Sequence, residues 1–291
     1  MKEVFMNDRM LRKAIELITV DIRAKVDIAV IGLSGGADST LVAALCANAL
    51  GRENVYGVGM PYNSLDEETF NDKSAQVAKR LGITYDVVPI GAAVNDVTQC
   101  VCFNGQISQL NAGNLRSRIR MVTLYTYACS IGEHHPGKKC RVMGTGNLSE
   151  DFIGYDTKGG DALGDIFPIG ELLKKDVYNM LDMFVADGIL VDDLIDRVPS
   201  AGLWDGQTDE DELGMSYDEM APAVKYLVNN YMLFNGITTR SDFDTRLGRH
   251  GNFTEREKYV LFFVWDRHIK NKHKHEAPYV TPLEIFRRVE K

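Results

Sequence analysis

The chain has 291 residues, 45% hydrophobic and 25% charged, an ordinary globular composition with enough length for a sizeable core in one large domain or two small ones. Its net charge of −8 argues against a nucleic-acid partner, which needs a basic face, but not against a nucleotide, which needs only a few local cations. No apolar run approaches the roughly 18 residues of a membrane span, and the first residues lack the apolar centre of a signal peptide, so no membrane partner is expected and the cytoplasm is the expected compartment.

An amphipathic helix is predicted over 7–26, with Met10, Leu11, Ala14, Ile15, Leu17 and Ile18 at helical spacing. Residues 28–33 are apolar apart from one glycine and read as a strand buried on both faces, as in a parallel sheet. Ser34, Gly35, Gly36, Ala37, Asp38 and Ser39 then turn the chain into a Leu- and Ala-rich helix over 40–50, which Gly51 ends. A strand, a glycine turn and a helix N-terminus make an anion site: glycines let backbone N–H groups approach a ligand, and the helix dipole favours negative charge. Ser34 and Ser39 add hydroxyl donors. Asp38 would repel phosphates, and makes sense if it carries a metal ion or accepts N–H bonds that shape the loop. The plainer alternative is a tight βα turn with Asp38 or Ser39 as its N-cap. The loop matches neither the Walker A pattern nor G-x-G-x-x-G.

Strands over 54–60 and 83–90 flank a helix over 66–81. The order βαβαβ predicts a parallel doubly wound sheet whose ligands lie beyond the carboxyl ends of the strands, where the strand order switches. Residues 95–113 carry no clear pattern. In a helix predicted over 113–130, Arg116, Arg118 and Arg120 alternate and cannot all face one way; they are either a solvated basic face or include a bidentate phosphate clamp. His134 and His135, in a turn before Pro136, read as exposed. A fourth strand over 140–144 ends in Gly144-Thr145-Gly146-Asn147, with Glu150 soon after. Residues 151–165 form a Gly- and Asp-rich loop whose acids could hold Mg²⁺. Helices are predicted over 172–186, 218–230, 242–250 and 254–270, the last behind a Thr254–Glu257 capping box. Residues 189–195 read as a helix start and linker, and 205–212 as a solvated acidic loop. Five cysteines without C-x-x-C fit reduced thiols, and Cys100-Val101-Cys102 lacks partners at zinc-finger spacing.

The Ser-Gly-Gly-x-Asp-Ser loop resembles the pyrophosphate-binding loop of the ATP pyrophosphatases, and later motifs narrow the resemblance to the NAD synthetases. These are Leu33-Ser-Gly-Gly-Ala-Asp-Ser-Thr40, Asn114-Leu-Arg-Ser-Arg-Ile-Arg-Met121, Gly144-Thr145 with Glu150, Thr157-Lys-Gly-Gly-Asp161, Asp165 with Pro168, Leu173-Lys174, Pro199-Ser200-Ala201, Asp209 to Glu219, and His273-Lys274. The resemblance implies one domain over 1–291, with an α/β core over about 20–190 and a helical C-terminal part over about 191–291. The implied fold is a doubly wound, mostly parallel five-stranded sheet flanked by helices. ATP would adenylate the pyridine carboxylate of the nicotinic-acid form of NAD, releasing pyrophosphate, and ammonia would displace AMP.

By the same resemblance, Ser34, Gly35, Gly36, Asp38, Ser39, Thr40, Met60, Arg118, Thr145, Lys174 and Ser200 meet ATP. Arg118, Lys158, Asp161, Asp165, His273 and Lys274 meet the dinucleotide. Asp38 and Glu150 hold Mg²⁺, and Asp38, Lys174 and Asp165 form the catalytic set. Three positions depart from the family pattern: Gly59, where many bacterial relatives carry Arg, Ser200 for Thr, and His275 for a basic residue. Only about 27 residues precede the first strand, too few for the amidase domain of glutamine-dependent relatives, so free ammonia is the expected donor. A homodimer is implied. Polar segments at 151–165, 200–212 and 268–275 are expected to close over the reactants. The alternatives are another adenylating ligase, GMP-synthetase-like or tRNA-modifying, which would want a basic face or a catalytic cysteine pair, and a non-catalytic nucleotide-binding module, which would not need acids in two loops.

Overall fold

β1 (Ile28–Gly32) lies inside the sheet because its four apolar residues before the closing glycine can be covered on both faces; all four are buried. The computed structural model describes residues 5–62, 64–101, 107–195 and 208–277, without the side chains of 64–72. Within them β1 pairs in parallel with β2 (Val55–Gly59) on one side and β4 (Cys140–Met143) on the other, and β2 pairs with β3 (Thr84–Val87) at the edge. The order β3-β2-β1-β4 puts the switch point between β1 and β4.

The sheet has four strands among the described residues, where five are expected from sequence. The fifth place is held by a single parallel bridge between Met143 and Ile166: Asp165 N–H donates to the Val142 carbonyl and Gly144 N–H to the Ile166 carbonyl, each at 2.8 Å. Pro168 follows within two residues and has no N–H to extend such a ladder.

One face of the sheet is covered by α1 (Asp8–Lys25), α2 (Ala37–Leu50), α3 (Ser64–Leu81) and α7 (Lys174–Ala186), which bury Ile22, Leu41, Leu45, Val77 and Met180 around Ile31. The other is covered by α4 (Gly91–Val101) and α5 (Gln109–His134), whose Val94, Met121, Leu124 and Ala128 pack on Val30, Val58 and Val142. α4 lies in the segment without a sequence pattern, and α5 extends the predicted helix at both ends. Residues 192–194 form only a single 3-10 turn in place of the predicted helix start.

A third core gathers the later helices: α8 (Asp209–Leu213), α9 (Tyr217–Asn229), α10 (Tyr231–Phe234), α11 (Arg240–Leu247) and α12 (Glu255–Asn271). It centres on Phe234, Phe243 and Trp265 and takes in Phe152 and Ile153 of α6 (Leu148–Ile153), so α6 fastens the helical part to the sheet. The Thr254–Glu257 capping box is present at the start of α12. α8 occupies part of the stretch expected as a solvated loop, started by the Thr208 N-cap. Among the described residues no helix is long and apolar enough to cross a membrane.

Candidate functional site

The loop after β1 and the loop after β4 lie side by side at the switch point. In the first, Gly35 takes φ +79, and a Cβ there would come within 2.9 Å of Lys73 Cβ, so only glycine fits the turn. The serines fix the rest. Ser34 Oγ accepts from Gly36 N–H at 3.2 Å and pairs with Ser39 Oγ at 3.0 Å, while Ser39 Oγ donates to the Gly36 carbonyl at 3.1 Å. Thr40, one turn into α2, is fully buried and its hydroxyl has no hydrogen-bond partner among the described residues. Met60, just past β2, is buried, and its carbonyl accepts from Arg120 Nε at 3.2 Å.

Three charged side chains from three helix starts converge between these loops. Asp38 sits in the first turn of α2, Glu150 in the first turn of α6, and Lys174 opens α7. Lys174 Nζ lies 2.5 Å from Asp38 Oδ2 and 2.8 Å from Glu150 Oε1, with its side chain only 5% exposed. Asn147, the N-cap of α6, holds the group in register: its Oδ1 accepts from the Ser149 and Glu150 N–H groups, and its Nδ2 donates to Asp38 Oδ1 at 3.0 Å. Burial opposes the charge on Lys174, but Asp38 and Glu150 outweigh it and hold its pKa well above the usual lysine value. Burial pushes Glu150 up to about 8, with Lys174 pulling it back and Asp38 adding to the rise. With Glu150 ionised, two carboxylates around one ammonium leave negative charge in excess. That surplus, on hard oxygen donors beside an anion-binding turn, fits a divalent cation such as Mg²⁺.

Of the three arginines of α5, Arg116 and Arg120, four residues apart, reach the segment after β2, and Arg118 reaches the 157–161 loop. Arg116 stacks over the Tyr62 ring at 3.8 Å, Arg120 reaches the Met60 carbonyl, and Arg118 Nε donates to the Lys158 carbonyl at 3.1 Å. The 157–161 loop is stapled to α5: Asp161 Oδ1 accepts from Ser117 Oγ at 2.6 Å and Thr157 N–H at 3.0 Å, and Thr157 Oγ1 donates to Asn114 Oδ1 at 2.9 Å. Asp165 is engaged differently from the Asp38 group. Its Oδ2 accepts from the Val142 N–H of β4 at 2.8 Å and its Oδ1 from Tyr125 OH at 3.4 Å, so it completes the sheet edge. Thr145 is half-buried just after β4. Lys158 Nζ donates to the His273 carbonyl at 2.7 Å, which joins the end of α12 to this loop. Gly154 permits that approach, since with φ +64 a Cβ there would overlap Asn271. Ser200 and Cys102 lie outside the described residues.

Sequence reasoning placed Asn147 and Tyr217 inside motifs without giving either a role. The first follows an N-cap signal, Asn three residues before Glu; the second has none, because the Tyr217 ring reaches to 5.7 Å from Lys174 Nζ only through the fold. At Gly59 a Cβ would overlap the Tyr85 hydroxyl, which bonds Ser74 Oγ at 2.8 Å, so Tyr85 fills the space of the missing side chain.

The raised carboxylates give a pH dependence with a definite sign. Burial moves Glu150 from 4.5 to about 8 and Asp151 from 3.8 to about 7, the latter against a downward pull from His275. Between the lower and upper values the folded chain binds more protons than the unfolded chain, so stability falls as pH rises. Thermal unfolding in chelator should therefore show a midpoint that drops from mildly acidic to mildly alkaline pH. A flat or rising profile would contradict the buried surplus of carboxylate.

A parallel sheet with a Gly-Ser anion turn and an acid–lysine cluster at its switch point makes a site suited to the phosphates of a nucleotide. Residues 12–255 match the family described as NAD synthase. An NH₃-dependent NAD⁺ synthetase of Methanosarcina mazei is 35% identical over 261 residues, covering 90% of this chain and 92% of its own. One from Methanococcoides burtonii is 45% identical over 192 residues, 65% of this chain and 68% of its own. Among solved structures, the NH₃-dependent NAD synthetase of Campylobacter jejuni superposes with a TM-score of 0.64 at 25% identity, over 95% of this chain and 100% of its own. The chain belongs to the NAD synthase family.

Proposed function

We propose that this protein converts the nicotinic-acid form of NAD to NAD, using ATP to adenylate the pyridine carboxylate and ammonia to displace AMP. The observation that carries the reading is Lys174 held between Asp38 and Glu150 beside the Ser34–Ser39 turn, in a chain of this family. A carboxylate resists attack by an amine because its charge and resonance oppose the nucleophile. Joining one oxygen to AMP makes that oxygen a leaving group.

Each residue then has a chemical task. The backbone N–H groups of Gly35 and Gly36, with the Ser34 and Ser39 hydroxyls, cradle the departing pyrophosphate at the N-terminus of α2. Lys174 is pre-positioned by two carboxylates and supplies positive charge where the α-phosphate is attacked. Asp38 and Glu150 would hold Mg²⁺, which when bound supplies charge neutralisation on the phosphates. Arg118, Lys158, Asp161, His273 and Lys274 border the loop on which the dinucleotide would lie, and Asp165 supports that loop from the sheet edge. Thr145 and Met60 line the ATP side, and Ser200 completes it by family resemblance. Holding two nucleotides end to end supplies the orientation that the amidation needs. A single domain, a homodimer and free ammonia as the nitrogen source belong to the same reading.

ATP–pyrophosphate exchange tests it. Exchange should require the nicotinic-acid dinucleotide, and amide should form with ammonium salts but not with ammonia-free glutamine. Exchange driven by another acceptor, such as xanthosine monophosphate, would replace this reading with that of a different adenylating ligase. Amide formed from glutamine would refute the ammonia assignment.

A further inference from the structure

The end of α12 and the loop after α6 meet at a second cluster of charged groups, which, Lys274 apart, the proposed reaction does not use. Lys274 Nζ donates to the carbonyls of Gly154 and Asp156, each at 2.7 Å. The next residue, His275, is thereby brought over Asp156, with Nε2 at 2.5 Å from Oδ2. The Asp156 side chain is only 4% exposed, and among the described residues its oxygens meet only the side chains of His275, at Oδ2, and Lys274, whose Nζ stands 3.7 Å from Oδ1. A carboxylate withdrawn from water in this way is costly unless it is paired or coordinates a cation.

Asp151 supplies a second carboxylate. It follows Glu150 on α6, and one residue of helix turns it by roughly 100° from the Lys174 side. Gly146 leaves room for it, since a Cβ there would lie 2.5 Å from Asp151 Oδ1. One oxygen of Asp151, one of Asp156 and one ring nitrogen of His275 lie within 4.8 Å of one another. Ligand atoms around zinc sit about 2.0–2.2 Å from the ion and hence roughly 3–4 Å apart, so shifts of under about 1 Å would complete the shell.

We infer that Asp151, Asp156 and His275 bind one divalent first-row transition cation of the zinc or manganese kind, clasping the end of α12 to the loop that carries Lys158 and Asp161. The imidazole favours such a cation over magnesium, which takes oxygen ligands in a strict octahedron. Two carboxylates and an imidazole that has released its proton to the incoming metal match the charge of one divalent ion. Lys274, the nearby cation, is already held by two carbonyls and can stay. The inference stands independently of the proposed reaction.

The test uses the whole chain, stripped with chelator and returned to excess Mg²⁺ so that oxygen-only sites are filled. Zn²⁺ titrated calorimetrically should bind once per chain. His275→Ala, His275→Gln and Asp156→Asn should each weaken that binding on the order of 100-fold or more, since even indirect supports of a metal site are worth 10- to 100-fold. Zn²⁺ should raise the thermal midpoint of the parent and not of the variants. Mn²⁺ in the parent should show nitrogen coupling from one imidazole by electron paramagnetic resonance, lost in His275→Gln. No binding above the Mg²⁺ background, no nitrogen coupling, or Zn²⁺ binding unchanged in the folded His275 variants would overturn the inference; the last would move the ion to another site such as the His134–His135 turn.

Discussion

Lys174→Met should lose pyrophosphate release by roughly a thousandfold or more and cost about 3–5 kcal/mol of stability at alkaline pH, where Glu150 is ionised. Methionine keeps the apolar stem, so the change removes charge without opening a large cavity. What remains is Asp38 facing Glu150, side chains 19% and 16% exposed, with no ammonium between them. The penalty is that of two carboxylates left together out of water, and it has two remedies. A proton can neutralise Glu150, which burial already holds at about 8, so the loss should be smaller near neutral pH than at alkaline pH. Mg²⁺ can take the place of the ammonium charge, so it should restore stability without restoring turnover. Denaturant unfolding at two pH values, with and without Mg²⁺, reads both. A loss below about 1 kcal/mol that ignores pH and Mg²⁺ would mean that the ion pair is incidental.

Trp265→Ala should lower stability by about 3–5 kcal/mol through the cavity it leaves, with a further contribution of about 1 kcal/mol from the unpaired Ile237 carbonyl. Trp265 is 1% exposed, contacts the rings of Tyr231, Phe234, Phe243 and His268, and donates Nε1–H to Ile237 O at 2.9 Å. His268 in turn stacks on Phe152 of α6, two residues past Glu150. Damage in the helical part should therefore reach the site, and the variant should unfold in one transition at lower denaturant with weaker nucleotide binding. Two separated transitions, the later one unchanged, would mean that the helical part is an independent domain.

The sheet and the anion turn were legible because their signals are local. The apolar run before Ser34 and the glycines after it are contiguous, and their meaning does not depend on distant partners. The fifth strand was not legible, because a single bridge at Ile166 leaves no alternating or apolar run to read. α4 was missed because it opens on Gly91 and carries the β-branched Val94, Val97, Thr98 and Val101, which weaken its helical signal; its place is set by packing on α5. The partners of individual charges were beyond reach of spacing. Asp38 meets Asn147 and Lys174 across 109 and 136 residues of chain, and the partners of the alternating arginines of α5, Tyr62, Lys158 and Met60, lie on other parts of the chain. The motif at 157–165 marked Asp161 and Asp165 alike, whereas one staples a loop to a helix and the other finishes the edge of β4.

The sheet order sets a timetable for biosynthesis. β1 takes β2 on one side soon after it is made, since Ala29 pairs with Val55, but its other side waits for Cys140 to pair with Ile28. At about 5–20 residues per second, a ribosome needs on the order of 5–20 s to supply β4. For that interval a strand of four consecutive apolar residues has an open edge, and the acid–lysine cluster that straddles the same gap cannot assemble. A nascent chain stalled between α3 and β4 is thus the form most prone to edge-to-edge association, and the one most in need of a holding chaperone.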